Sequence, residues 1–303
     1  VVAGIMGGNI SVATAAVADI TGEKDRAKGM GMIGAAFGLG FILGPAIGGM
    51  LSSVDLTDAG LPGLNRFSAP ALAALGLTVW NLVWVKFRLP ETLSSEQRGT
   101  RPAHARSLNP LRLFTGHNLP AGVSGTNLLF FLYQTAFAGM EFTLVFVAKE
   151  RLGYKPHQMM WIFIFVGLLI ALVQGGVVRR LAPKLGERRL VRVGLLMLIP
   201  GLLIVGWAQT ELPFYGGLAL LAIGSALVSP CLSALVSLYT PGDRQGEVLG
   251  VFRSVGALSR AIAPIIAGLV FWKLGSQWPY YGSALVMLAP LLLSARLPTP
   301  GNE

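Results

Sequence analysis

The chain has 303 residues, 53% hydrophobic and only 13% charged, against about 25% charged in a soluble domain. That excludes a soluble globular domain and predicts an all-α, polytopic helical membrane protein, since the alternating runs of a membrane barrel are absent. The net charge of +10 is not a nucleic-acid footprint, because the basic residues concentrate in alternate loops.

At roughly 20 residues per span, nine apolar segments fall near 1–20, 29–53, 69–88, 119–148, 157–178, 190–209, 212–239, 247–272 and 277–296. Val1 is no start methionine and no charged stretch precedes the first apolar run, so that run is not a signal peptide. It carries the polar residues Asn9, Ser11 and Thr14 and ends at Asp19; the following loop holds Asp25 and Arg26. Capping and pairing with Arg26 or Lys28 account for Asp25. Asp19 is read equally as part of a gate network or of a substrate pathway.

The second segment contains Gly31, Gly40, Gly44-Pro45 and Gly48-Gly49. Glycines four apart strip one helix face and let a neighbouring helix approach closely. Proline removes a backbone donor and kinks the helix unless neighbours re-satisfy the freed carbonyl.

After the third span comes the longest polar stretch, rich in Pro, Ser and Arg. It predicts a first part at 1–90, a connecting loop at 91–118 and a six-span part at 119–303. An internal repeat supports two related halves. Asp25-Arg26 recurs as Asp243-Arg244, and Gly31, Gly44-Pro45 and Gly49 correspond to Gly250, Ala263-Pro264 and Gly268. The second copy keeps the proline and loses several glycines.

The span near 119–148 is the most polar. Asn127 and Gln134 are seven residues apart and share a face; Tyr133 sits about 100° around from Gln134. Glu141 lies well inside the same span, and an ionisable group there is a functional hypothesis by default, as a proton relay or a substrate contact. Phe130, Phe131 and Phe137 add the aromatic surface that a site for amphipathic molecules needs. The next span carries Gly167, Ala171 and Gly175, a smooth face expected to form a seam with the Gly31–Gly49 helix. The loop RRLAPKLGERR, from Arg179, puts Gly186 at a tight turn and Arg188 among the anchoring arginines. Arg253 and Arg260, two turns apart, share a face within the eighth apolar segment. Glu141 is the expected partner of Arg260, and the Asp243 loop that of Arg253.

Basic residues orient the chain. The loops at 21–28, 86–118, 179–192 and 240–246, with the C-terminal tail, hold 17 of the 24. The alternate loops hold Arg66, Lys149, Arg151, Lys155 and Lys273. By the positive-inside rule Glu303 is cytoplasmic and Val1 external. Cys231 is the single cysteine, and His104, His117 and His157 are scattered in loops. Neither a disulfide framework nor a metal site is expected, and no cofactor. HExxH, GxSxG and GxxxxGK[ST] are all absent, so neither a hydrolase nor nucleotide-driven transport is expected.

The run from Gly31 to Gly49, G-x8-G-x3-GP-x2-GG, resembles the antiporter motif of the major facilitator superfamily, and Ala18–Gly31 is similar to a loop of its tetracycline-resistance-type exporters. The 179–189 loop is similar to the family's G-x-L-A-D-R-x-G-R-R pattern, but with Arg179 in place of Gly and Pro183 in place of the acidic residue. Gly4-Ile5-Met6-Gly7 resembles the fourth span of that family, which implies a twelve-span protein with three spans before Val1. The resemblance implies proton-coupled export of small amphipathic molecules or drugs by a monomer in the inner (plasma) membrane. Glu141, Arg260, Asn127, Tyr133, Gln134, Asp19 and Asn9 would line the substrate and proton pathway. Asp25, Arg26, Gly186, Arg188 and Arg253 would form a cytoplasmic gate. Two alternatives stay open: a carrier of organic anions or metabolites with Arg260 as the anion contact, and a non-transporting membrane scaffold.

Overall fold

The computed structural model describes residues 36, 39–40, 43–44, 47–57, 64–65, 67–89, 119–241 and 245–298. The helices are α1 (Ser68–Arg88), α2 (Val123–Leu152), α3 (Pro156–Leu172), α4 (Arg179–Leu185), α5 (Glu187–Trp207), α6 (Glu211–Leu238), α7 (Gln245–Leu274) and α8 (Trp278–Arg296). A π-helical segment, Val173–Val178, joins α3 to α4. Counting Pro156–Leu185 as one, seven helices among the described residues are long and apolar enough to cross a membrane. The two spans expected before residue 54 lie largely outside the described residues.

The chain divides into two compact units, Val1–Arg106 with Pro156–Ile164, and Ser107–Lys155 with Phe165–Glu303. The break at 106/107 falls inside the polar 91–118 connection. In the first unit α1 buries none of its side chains. Leu72, Leu75, Trp80, Leu82, Trp84 and Phe87 are all exposed, a surface suited to lipid. The Trp80 and Trp84 rings stack at 6.4 Å and the Arg88 guanidinium lies 5.8 Å from the Trp84 ring, an aromatic and cationic pairing typical of a membrane interface.

In the second unit α2 is the central element, packed against α6, α7 and α8, while α5 pairs with α6 and α8. Glycine sets the α5–α6 contact. A Cβ on Gly194 would sit 2.7 Å from the Gly224 carbonyl oxygen, and one on Gly224 would sit 2.7 Å from the Gly194 oxygen. Gly201 and Gly217 repeat the arrangement, at 3.1 and 3.0 Å. Both spacings are seven residues, so two antiparallel helices meet backbone to backbone at two levels. Without a hydrophobic drive between helices in lipid, such close approach is what holds the pair together.

The two ends of the unit are fastened differently. At one end Arg151 donates to the Gly206 carbonyl at 2.7 Å, the Ala208 carbonyl at 3.2 Å and Ser276 Oγ at 3.0 Å. Ser276 in turn donates to Glu150 at 3.0 Å. This fastens α2 to the end of α5 and to the α7–α8 connection. Arg151 was expected only as a loop charge; it lies inside α2, which runs to Leu152. Nearby, the Tyr154 hydroxyl donates to Glu211 at 2.9 Å. Burial pushes its phenol above the ordinary range, and the bonds with Tyr215 and Glu211 add to that. At the other end Tyr239 donates to the Pro298 carbonyl at 2.6 Å, and Arg188 to the Ala295 carbonyl at 3.3 Å. Gly122, at φ +84°, fits under that contact: a Cβ there would be 2.7 Å from Pro298 and 3.0 Å from the Tyr239 ring.

Candidate functional site

Helical spacing puts Asn127, Phe130, Gln134, Phe137 and Glu141 on one stripe of α2. Asn127 and Gln134 are buried, whereas Phe130, Phe137 and Glu141 are half-exposed. The stripe therefore opens to the surface of its unit at three levels and is closed at two. Tyr133 flanks it, almost fully buried, and its hydroxyl pairs with Ser229 of α6 at 3.2 Å. Its ring stacks on Phe137 at 5.8 Å; Phe130 stacks on Phe252 of α7 at 4.1 Å. Aromatic walls with a few fixed polar groups are the composition of a site for a small organic ligand.

Glu141 and Arg260 do not form the expected ion pair: none joins them among the described residues. The inward face of α7 is Phe252, Gly256, Ser259, Ala263 and Ala267, and Arg260 lies one position, about 100°, beyond it on an exposed flank. Arg253, two turns from Arg260, is also exposed; its expected partner loop at Asp243 lies outside the described residues.

Other expected residues separate. Asn9, Asp19, Asp25, Arg26, Gly31 and Pro45 lie outside the described residues. Gly40, Gly44 and Gly48 have no described atom within 4 Å of where a Cβ would stand. Gly49 has Met160 of α3 there, with Cβ at 2.7 Å. Gly186 sits at the α4–α5 junction with φ +79°, a conformation that favours glycine, as the tight turn requires. The single face expected from Gly167, Ala171 and Gly175 is not kept. The helix widens to π geometry from Val173, so a spacing of four no longer returns to the same line. No cluster of metal-binding side chains occurs among the described residues.

Sequence reasoning did not identify Ser229 as the partner of Tyr133. It missed Phe252 and the carbonyl-binding role of Arg151. Only Arg151 carried a signal, a cation two residues from a helix-ending glycine.

A model described as the Major Facilitator Superfamily matches residues 1–210 and 156–303. Major facilitator superfamily domain-containing protein 10 of Bos taurus is 38% identical over the whole chain, and the chain spans 66% of that relative's length. A tetracycline resistance protein, class C, of Escherichia coli is 28% identical, with 97% of this chain and 70% of that protein aligned. The crystal structure of the human organic anion transporter MFSD10 (TETRAN) superposes with a TM-score of 0.74 at 34% identity, covering 95% of this chain and 68% of that one.

Proposed function

We propose, since this chain belongs to the major facilitator superfamily, that it carries out alternating-access export of small amphipathic organic molecules in exchange for protons. The observation that carries the reading is the state of Glu141. It is a carboxylate in the middle of an apolar helix, half-exposed, and not locked in an ion pair with Arg260. A charge within a span costs roughly 2.5–3.5 kcal/mol on insertion scales, so an ionisable group kept there is a functional candidate by default, and a carboxylate suits a proton-coupling role. The relatives that confer tetracycline resistance support export as the direction.

In this reading the protein is a monomer in the plasma (inner) membrane with Glu303 cytoplasmic. Gly186, Arg188 and Arg253, together with Asp25 and Arg26, belong to the cytoplasmic gate. The open ridge at Gly40, Gly44 and Gly48 closes against a neighbouring helix in part of the cycle, so Gly44→Leu abolishes transport and leaves membrane insertion intact. The test uses inverted vesicles carrying the full-length protein and a pH-gradient dye. Addition of lipophilic cations and anions is expected to release protons in the wild type and not in Glu141→Gln. Proton release that survives the substitution moves coupling elsewhere, and its absence in the wild type removes the antiport reading.

A second reading, a carrier of organic anions, is favoured by the exposed mid-span Arg260 and by the description of the human relative as an organic anion transporter. Uptake of a labelled organic anion that is lost in Arg260→Gln and kept in Glu141→Gln would select it.

A further inference from the structure

The middle turn of α2 holds polar atoms that the protein leaves unused. Gln134 is 5% exposed, yet its Nε2 has no hydrogen-bond partner. Its neighbour Thr135 has a buried Oγ1 that is likewise unpartnered. That second case is unusual among the described residues. Thr78, Thr126 and Thr143 each return their hydroxyl to the carbonyl four residues back. For Thr135 that carbonyl belongs to Phe131, and it accepts instead from Ser259 of α7 at 3.2 Å. Buried polar atoms in native proteins are nearly always paired, and each exception calls for an explanation. In an apolar span the explanation is rarely bulk water, and the surrounding residues are Phe130, Tyr133 and Phe137.

We infer that Gln134 is a binding residue, whose carboxamide N–H group donates to an acceptor oxygen (carboxylate, carbonyl or sulfonate) of the molecule carried. The reading deepens the proposed function and rests on it for the existence of a cargo. Gln134 lies two turns from Glu141 on the same stripe, about 10 Å along the axis. A flat molecule of naphthalene size would have its acceptor end at Gln134 and its body along Phe130 and Phe137. The Tyr133 hydroxyl is already engaged with Ser229, which leaves the carboxamide as the ready donor. Thr135, one residue on, extends the same donor turn.

The test uses full-length protein in detergent and two probes of one shape. 2-Naphthoate has acceptor oxygens; (2-naphthyl)trimethylammonium has none. Calorimetric titration of the wild type is expected to give measurable 2-naphthoate binding. Gln134→Met and Gln134→Leu, which both lack the donor, are expected to weaken it about ten- to a hundredfold, as loss of a hydrogen bond to a charged group does. Whatever affinity exists for the ammonium probe is expected to stay within about twofold, because that probe offers nothing to the carboxamide. A third readout needs no ligand: the thermal midpoint of Gln134→Met should equal or exceed the wild type, since an unpaired buried donor is a cost. Equal weakening of both probes, unchanged 2-naphthoate binding in both variants, absence of 2-naphthoate binding to the wild type, or a lowered midpoint in Gln134→Met would each overturn the assignment. Failure of the antiport reading shows separately, as missing proton release, and leaves these binding outcomes intact.

Discussion

The two copies of the internal repeat put equivalent residues into opposite surroundings. Gly40, Gly44 and Gly48 correspond to Ser259, Ala263 and Ala267. In the second unit this ridge closes on α2. Ser259 donates to the Phe131 carbonyl, Ala263 is 1% exposed, and the Ala267 methyl lies 3.0 Å from where a Cβ on Gly139 would stand. In the first unit the ridge has no described atom within 4 Å. Among the described residues, the ridge richer in glycine is the one without close neighbours. Glycine content alone does not measure packing, because an alanine or serine methylene fills a helix interface that a bare backbone leaves empty. A helix that keeps glycine without filling the space gives up about 1 kcal/mol of helix propensity per position relative to alanine. That cost is consistent with a surface which must be smooth at some other moment than the one seen.

The largest expected effect comes where glycine and tight packing do coincide. Gly194→Leu would drive a side chain into the Gly224 carbonyl and Val228, both within 2.7 Å of its Cβ position. A backbone oxygen cannot rotate away, so the full-length variant should give no monodisperse peak on size-exclusion chromatography. A variant that behaves like the wild type would mean the glycines of α5 and α6 are as idle as those of the first repeat. Next in size is the matched pair Ala263→Leu and Gly44→Leu. The first overpacks a closed interface, at about 1–3 kcal/mol, and should lower the thermal midpoint in detergent by several degrees. The second meets no described atom within 4 Å of its Cβ position and should leave the midpoint near that of the wild type. Equal losses at the two positions would break the comparison outright.

Much of this could be read from the sequence. The seven-residue spacing of Asn127 and Gln134 puts them on one face of a helix whatever surrounds it, and α2 spans both. Proline at 264 kept the repeat in register, and α7 contains it as an interior residue. What failed were statements about two helices at once. Spacing says which face of α7 carries Arg260, but not the rotation of that face relative to α2, so the Glu141–Arg260 pair was not found. The seven-residue glycine spacings at 194/201 and 217/224 were visible, yet which helix meets which depends on the bundle. The π segment at Val173–Val178 was hidden because its residues, VQGGVV, do not announce a change of pitch. The same extra residue per turn that hid it also broke the Gly167–Ala171–Gly175 line.

The smallest expected effect is also the one that limits the comparison. One step beyond the open ridge, the contrast reverses. A Cβ on Gly49 would stand 2.7 Å from the Met160 Cβ, closer than real Cβ atoms approach, whereas one on its counterpart Gly268 would meet only Phe142 Cε1 at 3.4 Å, ordinary contact. Neither copy is therefore simply open or closed; each makes its close approach at a different level of the same register. Gly268→Ala adds a methyl at no steric cost and restores helix propensity, a gain of up to about 1 kcal/mol, so its midpoint should rise slightly or stay put. Gly49→Ala gains the same propensity but must push α3 or the motif segment aside, and its midpoint should fall. The Met160 Cβ is fixed to the backbone, so rotation about the Met160 side-chain bonds gives no relief. A fall in Gly268→Ala together with a rise in Gly49→Ala would place the tight contacts of the two copies at the same level. The difference between the ridges would then be one of composition alone and not of register.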